Sequence, residues 1–149
     1  LYNGIRECEV TEEELAQFYE GNLKYDLFPN QYLLLKLGGE IVDKYKLGKD
    51  GKLVKVKRVN FDSPLMGKVK ARNLRQELYM DLLDSDVPLT LVSSEAGCGK
   101  TWLATCYALQ ELDKKKYDKI MFLRNNVPIE GVGDLGLLPG DSNDKLKGY

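Results

Sequence analysis

The chain has no histidine. Without an imidazole, Ser-His-Asp and Cys-His nucleophilic catalysis are excluded and a zinc enzyme is disfavoured. Any chemistry has to come from carboxylates, hydroxyls, lysine, backbone dipoles or a metal ion. Cysteine is scarce: Cys8, Cys98 and Cys106 are odd in number, and their spacing fits neither a zinc cluster nor a disulfide framework, so they read as reduced thiols. No apolar run approaches the 18 or so residues that a membrane span needs. The first residues also lack the basic-then-apolar order of a secretory signal. The simplest location is the cytosol, with no membrane partner. Net charge is almost missing too, at −1, so overall charge selects no ligand.

What is present suffices for a folded unit. The 149 residues are 43% hydrophobic and 30% charged, enough to bury a core and too apolar for a disordered chain. The length fits one ordinary domain, or one small unit plus part of a larger one. Charge is unevenly placed. Lys44, Lys46, Lys49, Lys52, Lys55, Lys57, Arg58, Lys68, Lys70, Arg72 and Arg75 are opposed only by Asp50 and Asp62. Such a segment faces a polyanion such as RNA or single-stranded nucleic acid, or is a solvated face in which lysines protect an edge strand.

Local patterns divide the chain near residue 70. In "TEEELAQFYE" (11–20), Thr11 and Glu14 make a capping box, and Leu15, Phe18 and Tyr19 form one apolar side, which predicts a short helix. "QYLLLKL" (31–37), "EIVDKYKL" (40–47) and "KLVKVKRV" (52–59) read as strands of a small antiparallel meander, punctuated by Gly38-Gly39 and by the turn "GKDG" (48–51). Beyond it, Leu74, Leu78, Leu82 and Leu83 recur at helical spacing. "LTLVSS" (89–94) then predicts a buried strand, residues 101–112 a helix, and "KIMFLR" (119–124) a second strand. Strand, helix, strand at this spacing predicts a βαβ unit with parallel strands. Two such strands cannot complete a sheet covered on both faces. The expectation is therefore an α/β chain that is part of a longer protein: a helix and meander over 1–69, then the start of a parallel-sheet domain over 70–149.

Between the expected strand and helix stands Ser94-Glu95-Ala96-Gly97-Cys98-Gly99-Lys100-Thr101. This is the phosphate-loop pattern G-x-x-x-x-G-K-[ST] with serine in place of the first glycine. Such a loop turns backbone N–H groups inward around phosphates, with a helix N-terminus behind them. Gly97 and Gly99 supply the backbone freedom, Lys100 reaches the terminal phosphates, and the Thr101 hydroxyl holds Mg²⁺. Ser94 only leaves the strand, so a small residue at negative φ suffices. Glu95 has to point its carboxylate to solvent. The alternative is a plain glycine turn. Cys98 is either a reactive thiol or merely a small loop residue, while Cys106, beside Leu103 and Tyr107, reads as packing.

"KARNLRQELYMDLLDSDVPLTLVSSEAGCGKTWLATCYALQEL", with "KIMFLRNNV" and "DLGLLPGD" after it, resembles the PhoH-like ATPases, a P-loop group akin to superfamily 1 helicases. The resemblance runs from Lys70 to Tyr149. "FYEGN" and "FPNQYLLLK" resemble the linker and small β unit that precede the ATPase core in members beginning with a PIN nuclease-like domain. The fold it implies is a partial P-loop NTPase core. It also implies ATP with Mg²⁺ as ligand, hydrolysis by the parent protein, RNA as a partner and homo-oligomers of the full-length chain. It implies that Gln76 reads the adenine edge, where the plain alternative is a solvent-facing helical glutamine. The family's Arg-Pro after the second strand is here Arg124-Asn125. The loop that follows either contacts a nucleic acid or a neighbouring subunit, or is a surface loop. The acidic strand end and the arginine needed for hydrolysis are expected beyond Tyr149.

Overall fold

Four consecutive buried residues, Tyr32 to Leu35, form the middle of the fold. The computed structural model describes residues 3–85 and 87–123. Their elements are β1 (Ile5–Glu9), α1 (Glu12–Tyr19), β2 (Tyr32–Leu37), β3 (Glu40–Leu47), β4 (Leu53–Lys55), β5 (Asn60–Ser63), β6 (Gly67–Lys70), α2 (Leu74–Asp84) and α3 (Lys100–Asp113). Leu1–Lys119 form one compact unit and Ile120–Tyr149 another; all nine elements belong to the first.

The sheet has the order β1-β2-β3-β4, with β5 and β6 as a separate hairpin. β1 runs parallel to β2, while β2–β3 and β3–β4 are antiparallel. Gly38 and Gly39, at φ 61° and 84°, close the β2–β3 hairpin; two successive positive φ values are what a two-residue turn matching strand twist demands. Because strand side chains alternate between faces, β2 serves two cores. Leu33 and Leu35 pack with Val10, Leu15, Phe18, Tyr25 and Tyr45 on the α1 side. Tyr32 and Leu34 pack with Val56, Leu74, Leu78 and Leu82 on the α2 side.

α1 is held by its capping box: Glu14 N donates to Thr11 Oγ1 at 3.2 Å, and Thr11 N donates to Glu14 Oε2 at 2.9 Å. At its other end the Tyr19 hydroxyl donates to buried Asp43, which also pairs with Lys55. The Asp43 bond pushes the Tyr19 pKa up to about 12, so the hydroxyl stays a donor through the neutral range. Burial alone would raise the Asp43 carboxyl, but Lys55 and Tyr19 together hold it below its usual range.

α2 is fixed to the sheet by a matched charge ladder. Lys44 Nζ meets Glu77 Oε1 and Lys46 Nζ meets Asp81 Oδ2, each at 2.6 Å. Two residues along a strand advance about 6.7 Å and four along a helix about 6 Å, so the pairs stay in register. Asp81 also accepts from the Tyr32 hydroxyl at 2.7 Å. The other side of α2 carries Met80 into a third core with Phe61, Ala71, Leu103 and Cys106. α3 is tied to the hairpin by Gln110, whose Oε1 accepts from Asp62 N at 2.8 Å. α2 thus connects the sheet to α3.

The mixed α/β character stands, with one parallel pair, and the three meander strands and three helices lie where the patterns put them, although β4 is shorter than 52–59. β1 and the β5–β6 hairpin are additional. The two strands expected around α3 differ from expectation: residues 89–94 and 119–123 are not strands. Leu91 and Leu123 are each 85% exposed. A strand exists only through partners for its N–H and C=O groups, and among the described residues no other strand pairs with these segments. The Arg124-Asn125 feature and "DLGLLPGD" lie outside the described residues.

Candidate functional site

The loop from Ser94 to Gly99 runs into α3 through Gly99, whose φ of 84° makes a left-handed N-cap with no side-chain capping bond. α1 and α2 are both capped by side chains, from Thr11 and Asn73, and carry acidic residues in their first turns; α3 has none there. A helix start leaves its first backbone N–H groups without intrahelical acceptors and bears a partial positive charge. Here that charge faces an open cleft of about 380 Å³, lined by Ala96, Gly97, Cys98, Gly99, Lys100, Thr101 and Trp102.

Lys100 closes the loop on itself. Its Nζ donates to Ser94 O at 2.8 Å, to Glu95 O at 2.6 Å and to Ser94 Oγ at 3.2 Å. An ammonium has three donors, and all three are engaged within the loop. Ser94 therefore does more than leave the segment: its carbonyl and its hydroxyl both anchor the lysine. Among the described non-glycine residues only Asn30 and Lys115 have positive φ, so serine at 94 is unstrained. Gly97, at φ 80°, supplies the other left-handed position.

Gln76 is brought to the loop from the first turn of α2. Asn73 Oδ1 caps that turn by accepting from Gln76 N at 2.9 Å. The Gln76 side chain spans two segments: its Oε1 accepts from Arg72 N at 2.9 Å, and its Nε2 donates to Cys98 O at 3.1 Å. The approach is close enough that a Cβ on Gly99 would stand 3.3 Å from Nε2.

The geometry thus brings Ala96 through Thr101 together around one cleft, with Gln76 touching its backbone and Glu95 contributing a carbonyl. Trp102, 58% exposed beside the loop, was missed in the sequence; its position directly after Lys100-Thr101 was the available signal. Cys98 is exposed and Cys106 buried, with burial pushing the Cys106 thiol up. Among the described residues no group of three or more Cys, Asp or Glu is placed to hold a metal ion, and no helix is long and apolar enough to cross a membrane. Of the basic segment, Lys44, Lys46 and Lys55 are spent on Glu77, Asp81 and Asp43. Lys57, Arg58, Lys68, Lys70, Arg72 and Arg75 remain on the surface.

Comparison with known proteins places the chain in a family. The family model described as PhoH-like protein matches residues 68–149. Protein PhoH2 of Bacillus subtilis (strain 168) is 31% identical over 99% of this chain and 35% of its own length. Protein PhoH2 of Mycolicibacterium smegmatis is 30% identical over 97% of this chain and 33% of its own. Protein PhoH of Escherichia coli (strain K12) is 36% identical over 59% of this chain and 24% of its own. No solved structure matches the chain significantly. The chain spans about a third of the length of these PhoH2 relatives. On the extent of the family match, the chain belongs to the PhoH-like protein family.

Proposed function

We propose that this chain carries the ATP-binding loop of a PhoH-like P-loop ATPase whose hydrolytic groups lie outside it and whose substrate is RNA. The observation that supports the reading is the uncapped, acid-free N-terminus of α3 opening on a cleft ringed by Gly97, Gly99, Lys100 and Thr101. Backbone N–H groups there suit phosphate oxygens. Lys100 exchanges its bonds to Ser94 and Glu95 for the terminal phosphates. The Thr101 hydroxyl is a hard oxygen donor of the kind Mg²⁺ takes, with phosphate and water supplying its other ligands. When bound, Mg²⁺ neutralises phosphate charge.

The full-length protein forms homo-oligomers in which a neighbour supplies an arginine. Isothermal titration of the chain with ATP and Mg²⁺ tests the loop. Saturable binding abolished by Lys100→Ala is expected; identical traces for the two proteins would sink the phosphate role.

A second reading, supported by the exposed Lys57, Arg58, Lys68, Lys70 and Arg72, is direct grip on single-stranded nucleic acid by its phosphates. It predicts affinity falling steeply with salt. No binding at low salt would end it.

A further inference from the structure

We infer that Gln76 is a positioning residue for the phosphate loop: its side-chain amide pins the Cys98 carbonyl and thereby aims the Gly99 N–H at the bound phosphate. The inference rests on the reading of the loop given above. In a trans peptide the C=O and N–H point in opposite directions. Cys98 O accepts from Gln76 Nε2 at 3.1 Å, so the Gly99 N–H of the same peptide is turned away from α2. The cleft lined by residues 96–102 opens on that loop.

The pin is itself anchored. Gln76 Oε1 accepts from Arg72 N, and Gln76 N is held by Asn73 Oδ1, both at 2.9 Å. The amide is therefore oriented by one bond and spends its donor on the other. Gly99 is the residue that fits this arrangement: its φ of 84° favours glycine, and a Cβ would press on Nε2 at 3.3 Å. Since α2 is ion-paired to the sheet through Glu77 and Asp81, the loop is referenced to the sheet through Gln76.

A positioning role acts on the phosphates and is indifferent to the base, which separates it from adenine reading. The test compares binding of ATP, GTP and base-free tripolyphosphate, each with Mg²⁺, to the full-length protein and to its Gln76→Met and Gln76→Glu variants. Met keeps the length without either bond. Glu keeps the acceptor for Arg72 N and lacks the donor. Circular dichroism and melting temperature establish that each is folded, and two variants guard against the failure of one. The expected result is a loss of roughly tenfold for all three ligands alike, the worth of one hydrogen bond to a charged group. Loss for ATP alone, with GTP and tripolyphosphate unchanged, would overturn the inference and assign the amide to adenine. Unchanged affinity for all three would overturn it as well. Lys100→Ala keeps the two readings distinguishable: if it abolishes binding while both Gln76 variants bind normally, only the Gln76 inference fails. If the unsubstituted protein binds none of the ligands, both fail.

Discussion

Alanine at the two loop glycines should have unequal costs, and the difference measures the contact with Gln76. Gly97 and Gly99 have nearly the same φ, 80° and 84°. An L-residue in that left-handed region costs about 1–2 kcal/mol, so the backbone share is similar in the two variants. The surroundings differ. A Cβ at Gly97 meets nothing within 4 Å, whereas at Gly99 it lies 3.3 Å from Gln76 Nε2. That nitrogen ends a side chain and moves a few tenths of an ångström, at the expense of its 3.1 Å bond to Cys98 O. Losing such a bond adds about 1 kcal/mol. Gly99→Ala should therefore be about 1 kcal/mol more destabilising than Gly97→Ala in urea unfolding followed by helical ellipticity. In a Gln76→Ala background the excess should vanish, because the bond is already gone. Equal costs for the two glycines, or an excess that persists without Gln76, would refute the reasoning.

Other expectations follow from the packing. Leu33→Ala and Leu34→Ala, each fully buried on an opposite face of β2, should each cost about 2–5 kcal/mol, read as a shift in urea midpoint; a smaller cost at either would mean that its face is not packed. Asp81→Ala leaves Lys46 without its carboxylate and turns the Tyr32 hydroxyl from Asp81 to the Leu78 carbonyl, 3.1 Å away, and should cost about 1–3 kcal/mol; an unchanged melting temperature would show that the ladder contributes nothing. Asp43 is held below the usual carboxylate range, with Lys55 and Tyr19 outweighing burial. Its contribution is complete above the unfolded pKa near 4 and is lost as pH falls through the lower folded value. Asp43→Asn should flatten the acid limb of stability against pH, and a limb of the same slope would contradict this. Trp102 is the single tryptophan and borders the cleft, so its emission should change on titration with ATP and Mg²⁺; a flat response would count against occupancy of that cleft.

Much of this was legible because the signals are local. The Thr11–Glu14 box, the paired glycines 38–39 and the leucine spacing of 74–83 each report a bond or a face formed within a few residues. β1 escaped notice because "IRECE" has only Ile5 and Cys8 half-buried, and its strand state comes from pairing with β2, more than twenty residues away. The β5–β6 hairpin has one apolar pair, Phe61 opposite Val69, too few for an alternation to show. For 89–94 and 119–123 the reverse holds: the residues favour strand, but favouring is not pairing, and no partner strand stands beside them among the described residues. In the loop, the lysine and glycines were legible from spacing. The hold of Ser94 on Lys100 and of Gln76 on Cys98 were not, since each needs the loop's three-dimensional path.

The most direct test of the central claim follows the backbone amide resonances of the chain during titration with tripolyphosphate and Mg²⁺. The account predicts the largest shifts at Gly97, Cys98, Gly99, Lys100 and Thr101, with Lys100→Ala abolishing them. Shifts concentrated on Lys57, Arg58, Lys68 and Lys70, with the loop amides unmoved, would contradict it.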